Sequence, residues 1–211
     1  MGRPAGTRNQ GFEDKREALS FALVPRVMAT PPASFRELAD AAGVSVPTLR
    51  HYFADRDGAI RAALQAMHTL GAVGMERSAT EAIGPLPDSL RWFVAGFREA
   101  WANFGAARMV AAGLAEGLGS EAVGPTFVDT MLEPSLQAAE RRLAVHRERG
   151  EIEAANLRHA AIDLVSPVLL ALLHQGPLGG DRCRPLDLDG FLEDHLARFV
   201  RAWGAGEVRT G

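Results

Sequence analysis

Apolar residues recur every three or four positions along most of this chain, the spacing that places them on one face of an α-helix. Leu19, Leu23 and Val27 repeat at intervals of four in the first such segment, and the longest series runs over residues 90–104. Alternation of β-branched and polar residues, which would indicate strands, does not extend over a useful length. The pattern therefore predicts an all-α protein.

Glycine and proline residues interrupt this periodicity and separate the predicted helices. Before residue 83, the segments predict helices over residues 13–29, 35–41, 46–52 and 56–78. Beyond residue 87, they predict helices over residues 88–104, 106–118, 127–149, 154–175 and 188–203. Residues 83–87 hold two prolines and a glycine and predict a linker, and the 211 residues are enough for two small domains.

A segment near the N-terminus has the features of two short helices joined by a tight turn. Ser34 and Glu37 have the spacing of a capping box, in which each side chain satisfies an N–H group at a helix start. Gly43 permits the positive φ of a tight turn, Ser45 can cap the next helix, and Pro47 is tolerated in its first turn. The segment predicts a helix-turn-helix, although a helix ending in a turn before any other helix would share these features.

The second helix of this motif carries side chains suited to DNA. Thr48, Arg50, His51 and Tyr52 supply a hydroxyl, a guanidinium, an imidazole and a phenol, which can meet phosphates and base edges in the major groove. Arg56 stands at the start of the following helix, where a phosphate is also favoured.

The charge distribution adds little to this interpretation. The net charge is -3, with nine basic and seven acidic residues over 1–67 (+2) and fourteen against nineteen over 68–211 (-5). A weakly basic N-terminal part is typical of a nucleic-acid binder, but so small a difference also arises without one. Residues 1–12 predict a flexible basic arm, whose Arg3 or Arg8 could enter the minor groove; an inert tail is an equal alternative.

Residues 34–60 resemble the DNA-binding region of the TetR family of regulators. The shared pattern begins with a capped helix and the run Ala-x-x-x-Gly-Val-Ser, which is residues 39–45 here. The next helix then carries Thr48-Leu49 and ends at Phe53, and the basic residue Arg56 follows it. Arg50 stands where the family usually has Tyr, and Pro47 where it often has a small residue such as Gly. Operator preference therefore does not transfer from the family.

By position in the motif, the resemblance implies two sets of DNA contacts. The phosphate contacts would be Ser34, Arg36, Ser45, Thr48, Tyr52 and Arg56. The base-facing set would be Val46, Pro47, Arg50 and His51.

The resemblance also implies the organisation of the rest of the chain. A helix-turn-helix domain over 13–68 would precede a regulatory and dimerisation domain over 69–211, whose last two helices form the dimer. The expected function is a repressor released from a two-fold symmetric operator by a small apolar or aromatic effector. An activator, or a helical small-molecule-binding or interaction protein without specific DNA binding, is the alternative.

Two groups of apolar residues in the second domain are candidates for these roles. Aromatic and methionine side chains can enclose an apolar ligand, although the same stripe is also typical of a plain core; the candidates are Trp92, Phe93, Phe97, Trp101, Phe104, Met109, Phe127 and Met131. Two long apolar C-terminal helices predict an oligomer interface, with candidates Leu164, Val168, Leu172, Phe191, Leu196, Phe199 and Trp203.

Other classes of protein are disfavoured by what the sequence contains. Cys183 is the single cysteine, and the first ten residues lack a signal peptide's apolar core, so we expect a cytoplasmic protein without membrane contact. His159, Asp163 and His174 share a predicted helix, but their spacing is not that of a dense ligand set, so we expect no metal. Without a phosphate-binding loop or a nucleophile elbow, we expect neither a cofactor nor an enzyme.

Overall fold

The computed structural model describes residues 5–29 and 32–205, and within these ranges it contains helices and no named strand. An isolated antiparallel bridge joins Ile152 and Gly204. The helices are α1 (Ala5–Ala29), α2 (Phe35–Ala41), α3 (Val46–Phe53), α4 (Arg56–Thr80), α5 (Leu86–Asn103), α6 (Ala106–Gly119), α7 (Gly124–Phe127), α8 (Glu133–Glu148), α9 (Leu157–Gln175), α10 (Gly180–Cys183) and α11 (Leu188–Trp203). The predicted all-α class is confirmed, and a π-helical turn over Val128–Leu132 joins α7 to α8.

The chain divides into two compact units. One comprises Met1–Gly71 with Arg108–Met131, and the other comprises Ala72–Ala107 with Leu132–Gly211. The sequence instead predicts one boundary, between residues 68 and 69, so α6 and α7 fall in a different unit from the one expected. The predicted linker over 83–87 lies inside the second unit; residues 83–85 belong to the connection between α4 and α5, and Leu86 and Pro87 already form the start of α5.

The first unit holds the helix-turn-helix. Leu23 of α1, Leu38 of α2, Leu49 of α3 and Ile60 of α4 are completely buried. Helix α6 packs closely in this unit, where a Cβ added at Gly113 would fall 2.6 Å from the Phe127 ring of α7 and 3.3 Å from Leu64 of α4. A glycine there allows α6 to approach α7.

The second unit is centred on α9. This helix is the one in the described part of the chain that is long and apolar enough to cross a membrane by length and composition. Within the unit it packs against α8, α11, α10 and α5, and Leu164, Val168 and Leu172 are buried there. Its apolar composition is that of a core helix.

A buried arginine links three helices of the second unit. The Arg142 guanidinium of α8 donates to the backbone oxygen of Ser78 at 2.8 Å, to that of Glu81, and to the Ser89 hydroxyl of α5 at 2.7 Å. Burial of this completely enclosed side chain lowers the pKa of Arg142. Ser89 also bonds the buried His146 at 2.8 Å, so one polar network fastens the end of α4 and the start of α5 to α8.

Candidate nucleic-acid interface

Helix α2 begins at a complete capping box. The Ser34 hydroxyl accepts a hydrogen bond from the Glu37 N–H at 3.2 Å, and the Ser34 N–H donates to the Glu37 carboxylate at 2.8 Å. The Arg26 guanidinium of α1 donates to the other Glu37 oxygen at 2.7 Å. The Ser34 N–H, followed by the Ser34 hydroxyl and by Arg26, lowers the pKa of Glu37 to about 2. The start of α2 is therefore held by its own cap and by α1.

The turn between α2 and α3 has the geometry predicted for it. Gly43 has φ +66° with no atom within 4 Å of an added Cβ, so conformation rather than space favours glycine there. The Ser45 hydroxyl accepts from the Thr48 N–H at 3.2 Å and lies 2.8 Å from the Thr48 hydroxyl. Pro47 lies in the first turn of α3, where its missing N–H costs no helical hydrogen bond.

Helix α3 has one buried face and one exposed face. Leu49 and Phe53 are 0% and 5% exposed, whereas Thr48, Arg50 and His51 are exposed. In helix-turn-helix proteins a helix with an anchored apolar face presents its outer side chains to the major groove. The other motif residues divide as follows: Ser34, Arg36, Ser45 and Pro47 are exposed, and Val46 and Tyr52 are half-buried.

Two aromatic rings outside α3 contact its polar side chains. Phe12 of α1 stacks on Tyr52 with ring centroids 4.8 Å apart and meets His51 edge-on at 5.5 Å. The Arg50 guanidinium carbon lies 5.7 Å from the centroid of the Phe35 ring of α2, within cation–π distance. Sequence reasoning missed both contacts, because no helical period relates Phe12 to residues so distant in the chain.

Arg56 has intramolecular partners that the sequence did not predict, and its phosphate contact stays a prediction. Its guanidinium donates to both carboxylate oxygens of Glu116 in α6, at 2.8 and 2.7 Å, and to the Ala33 backbone oxygen. The Glu116 side chain is 3% exposed. A buried carboxylate needs a cation partner, and Arg56 supplies it while its own side chain stays 28% exposed. The sequence could not indicate the pair, because its members are 60 residues apart.

Helix α1 begins at Ala5 rather than at residue 13, so the described residues of the predicted arm, 5–12, are helical. The Phe12 contact with Tyr52 holds this extension of α1 against α3. Arg3 and the side chain of Arg8 lie outside the described residues, so their minor-groove contacts stay predictions.

The predicted pocket residues fall into both compact units. In the second unit, Phe93 is 1% exposed and packs edge-on against Phe97 with centroids 5.1 Å apart, and the Trp92 ring lies 4.9 Å from the Arg142 guanidinium carbon. The buried Trp101 indole N–H has no hydrogen-bond partner in the structure, and Phe104 is 70% exposed. Phe93 and Trp92 therefore have structural contacts of their own.

The remaining three pocket candidates belong to the first unit. Phe127 is buried against α6, and Met109 and Met131 are half-buried. The pocket itself stays a prediction.

The predicted dimer residues face the core of their own chain. Leu164, Val168, Leu172, Leu196 and Phe199 are at most 6% exposed. Phe191 and Trp203 are partly buried and pack against the same core. Since a buried side chain cannot also cover a partner, the first five positions are corrected to core residues, whereas the dimer contacts of Phe191 and Trp203 stay predictions.

A different stripe of α9 is exposed. Ile162 is 40% exposed and Leu170 is 66% exposed, with the exposed Ser166 midway between them, so the three recur every fourth residue on one face. Sequence reasoning missed this stripe because α9 is apolar on nearly all sides, which leaves its inner and outer faces indistinguishable.

Across residues 5–29 and 32–205, no group of three or more His, Cys, Asp or Glu side chains is placed to hold a metal ion.

No family model and no curated protein matches the sequence, but solved structures share its fold. A TetR-family transcriptional regulator from Mesorhizobium loti superposes with a TM-score of 0.68 at 15% identity, over 92% of this chain and 98% of that one. A TetR transcription regulator from Haloarcula marismortui gives a TM-score of 0.68 at 13% identity, over 91% and 99%. A SmeT–triclosan complex gives 0.64 at 18% identity, over 92% and 94%. The fold implied by the sequence resemblance is confirmed.

Proposed function

We propose that this chain, which has the fold of the TetR-family transcriptional regulators, is a DNA-binding transcriptional regulator that reads a two-fold symmetric operator as a homodimer. The observation that carries the proposal is the exposed face of α3, where Thr48, Arg50 and His51 project from a helix anchored by Leu49 and Phe53. A helix held in this way can enter the major groove without losing its core contacts.

The capped helix starts would supply the phosphate contacts. The oxygens of Ser34 and Ser45 already accept from helix N–H groups, so a hydroxyl hydrogen at each start can donate to a phosphate. The Arg36 and Thr48 side chains lie exposed beside them. Tyr52 is the half-buried member of this set.

The base contacts would come from the outer side of α3. Arg50 can donate two hydrogen bonds to guanine, and His51 can bond a base edge. Val46 and Pro47 can meet a thymine methyl group. Arg50 is the residue on which the test is built, because its guanidinium is exposed and bidentate recognition has a measurable magnitude.

The test is selection of a binding site from random duplexes, followed by titration of that site at two salt concentrations with non-specific competitor. Arg50→Ala should weaken specific binding by ~1–3 kcal/mol and leave binding to an unrelated duplex nearly unchanged. Arg147→Ala, which removes an exposed arginine of α8, is the matched control and should change neither. Failure to select any site contradicts the proposal and favours a helical small-molecule-binding or interaction protein.

The homodimer would form through the exposed stripe of α9. Two half-sites one helical turn apart require two recognition helices ~34–36 Å apart, which one chain cannot supply. Ile162, Ser166 and Leu170 offer an apolar, closely packable face, and a second copy would remove it from water.

Leu170→Arg should therefore give a monomer in sedimentation velocity experiments. Leu118→Arg is the matched control, because Leu118 is an 82% exposed leucine of α6, and this variant should remain dimeric. A dimeric Leu170→Arg protein would exclude this face as the interface.

Regulation would come from a small apolar or aromatic effector that releases the repressor from DNA. The aromatic candidates of the second unit support an effector of this class, and a protein of the same fold was solved in complex with triclosan. The ligand must bind the DNA-incompetent state more tightly if it is to lower operator affinity.

A panel of hydrophobic and aromatic compounds should include one that quenches the fluorescence of the three tryptophans and dissociates the operator complex at the same concentration. A reporter gene behind the selected site should then be expressed when the ligand is added. Expression that requires both the protein and its bound operator would instead identify an activator.

A further inference from the structure

We infer that Phe12 of α1 and Phe35 of α2 are positioning residues that set which base pairs α3 discriminates, Phe12 through His51 and Tyr52, and Phe35 through Arg50. The inference rests on the proposed DNA-binding function. It adds to that function two residues outside the recognition helix.

The Phe12 ring is placed against the tips of α3 side chains rather than in the core. It lies between the exposed His51 ring, at 5.5 Å with an interplanar angle of 87°, and the half-buried Tyr52 ring, at 4.8 Å and 25°. His51 and Tyr52 also meet each other edge-on at 5.1 Å. The three rings therefore form a closed cluster in which His51 has an aromatic neighbour on two sides.

Phe35 supports α3 from its other flank. Its ring lies 5.7 Å from the Arg50 guanidinium carbon, in the range where a cation is attracted to an aromatic face. Phe35 is the first residue of α2, directly after the Ser34 cap, so the capping box that fixes the start of α2 also fixes the backbone that carries this ring. Arg50 is the position at which the sequence departs from the TetR pattern, and the structure gives that arginine an aromatic partner.

Such contacts matter because exposed histidine and arginine side chains have several rotamers. A ring that favours one rotamer before binding reduces the entropy lost on binding and orients the side chain toward one base edge. Phe12 and Phe35 touch different side chains of α3. Loss of either ring should therefore relax discrimination at a different base pair.

The test compares Phe12→Leu and Phe35→Leu, which keep an apolar side chain without a ring, with Phe12→Tyr, which keeps the ring. Each variant is titrated against the selected operator and its single base-pair substitutions, beside His51→Ala and Arg50→Ala as references. Thermal unfolding checks that each variant folds. Phe12→Leu should lose about two- to tenfold discrimination, the size of one aromatic pair contact, at the base pairs affected by His51→Ala. Phe35→Leu should do so at those affected by Arg50→Ala, and Phe12→Tyr should retain the full pattern.

A second measurement examines the protein without DNA. The His51 ring protons should shift in the NMR spectrum of Phe12→Leu, because the ring current of Phe12 is removed, and should stay near their original positions in Phe35→Leu. Unchanged His51 resonances in Phe12→Leu would overturn the inference, whether or not the protein binds DNA.

If Phe12→Leu and Phe35→Leu weaken binding to the operator and to each of its base-pair substitutions by the same factor, the inference is also overturned. That result would indicate that the two rings support only the fold. If the unmodified protein selects no DNA site, the proposed function fails and the role in base discrimination fails with it. A normal operator complex with unaltered discrimination in both Phe12→Leu and Phe35→Leu contradicts the inference while leaving the proposed function intact.

Discussion

Replacing Arg56 by methionine should destabilise the protein more than replacing its partner Glu116. The Glu116 side chain is 3% exposed, whereas that of Arg56 is 28% exposed. Arg56→Met leaves a buried carboxylate without the guanidinium that bonds both of its oxygens. Glu116→Met leaves a guanidinium that still reaches solvent and the Ala33 backbone oxygen. Removing Arg56 should therefore lower the free energy of unfolding more than removing Glu116.

The magnitudes follow from burial. Removing one partner of a buried ion pair costs ~3–5 kcal/mol, and Arg56→Met belongs in that range because the group left behind is the buried one. Glu116→Met loses charged hydrogen bonds to a partly solvated partner, which corresponds to ~1–3 kcal/mol. The double variant leaves no buried charge and should be more stable than Arg56→Met alone.

Urea unfolding followed by circular dichroism at one fixed protein concentration measures these differences, since self-association of a protein makes its apparent stability depend on concentration. The matched control is Arg36→Met, an exposed arginine of α2, which should stay within ~0.5 kcal/mol of the unmodified protein. If the two single variants are equally stable and their effects add in the double variant, the asymmetric ion pair is not the source of the stability.

Three further predictions concern the pH dependence of stability, the steric requirement for glycine at position 58, and the buried Arg142. The pKa of Glu37 falls from 4.5 to about 2 on folding, so its contribution to stability is present above pH 4.5 and lost as the pH falls toward 2; the difference in urea midpoint between the unmodified protein and Glu37→Gln should disappear over that interval. Gly58→Ala should cost ~1–3 kcal/mol in thermal unfolding, because its Cβ would fall 2.0 Å from the Phe53 oxygen, whereas Gly74→Ala, with nothing within 4 Å, should be neutral or stabilising; equal effects would refute the steric argument. Arg142→Met should cost about 2 kcal/mol or more by removing the donor that bonds the Ser78 and Glu81 carbonyl oxygens, and an unchanged urea midpoint would show that the network adds no net stability.

The helix-turn-helix could be predicted from sequence because its determinants are local. Ser34 and Glu37, like Ser45 and Thr48, are three residues apart, and the structure pairs them as the capping pattern requires. Such contacts form whenever the helix forms, so residue type and spacing are enough to predict them. Both bounds of α2 and the first residue of α4 were predictable for the same reason, from caps and from glycine and proline residues.

The start of α1 was not predictable from these rules. Helix α1 starts at Ala5, before the expected residue 13, and Phe12 in this added part packs on Tyr52. No local signal in the sequence indicates a contact between residues so far apart. Arg56 is a similar case, because its position beside a helix start suggests a phosphate, while its partner Glu116 comes from another part of the chain.

The amino-acid sequence by itself determined the helical class, the caps of α2 and α3 and the position of α3, because these depend on contacts within a few residues. Tertiary structure decided which faces are core and which are free. Leu164 and Leu170 are both leucines of α9, yet one is fully buried and the other is 66% exposed. Helical periodicity cannot separate them in a helix that is apolar on nearly all sides, because burial depends on the neighbouring α8 and α11, which no local pattern specifies.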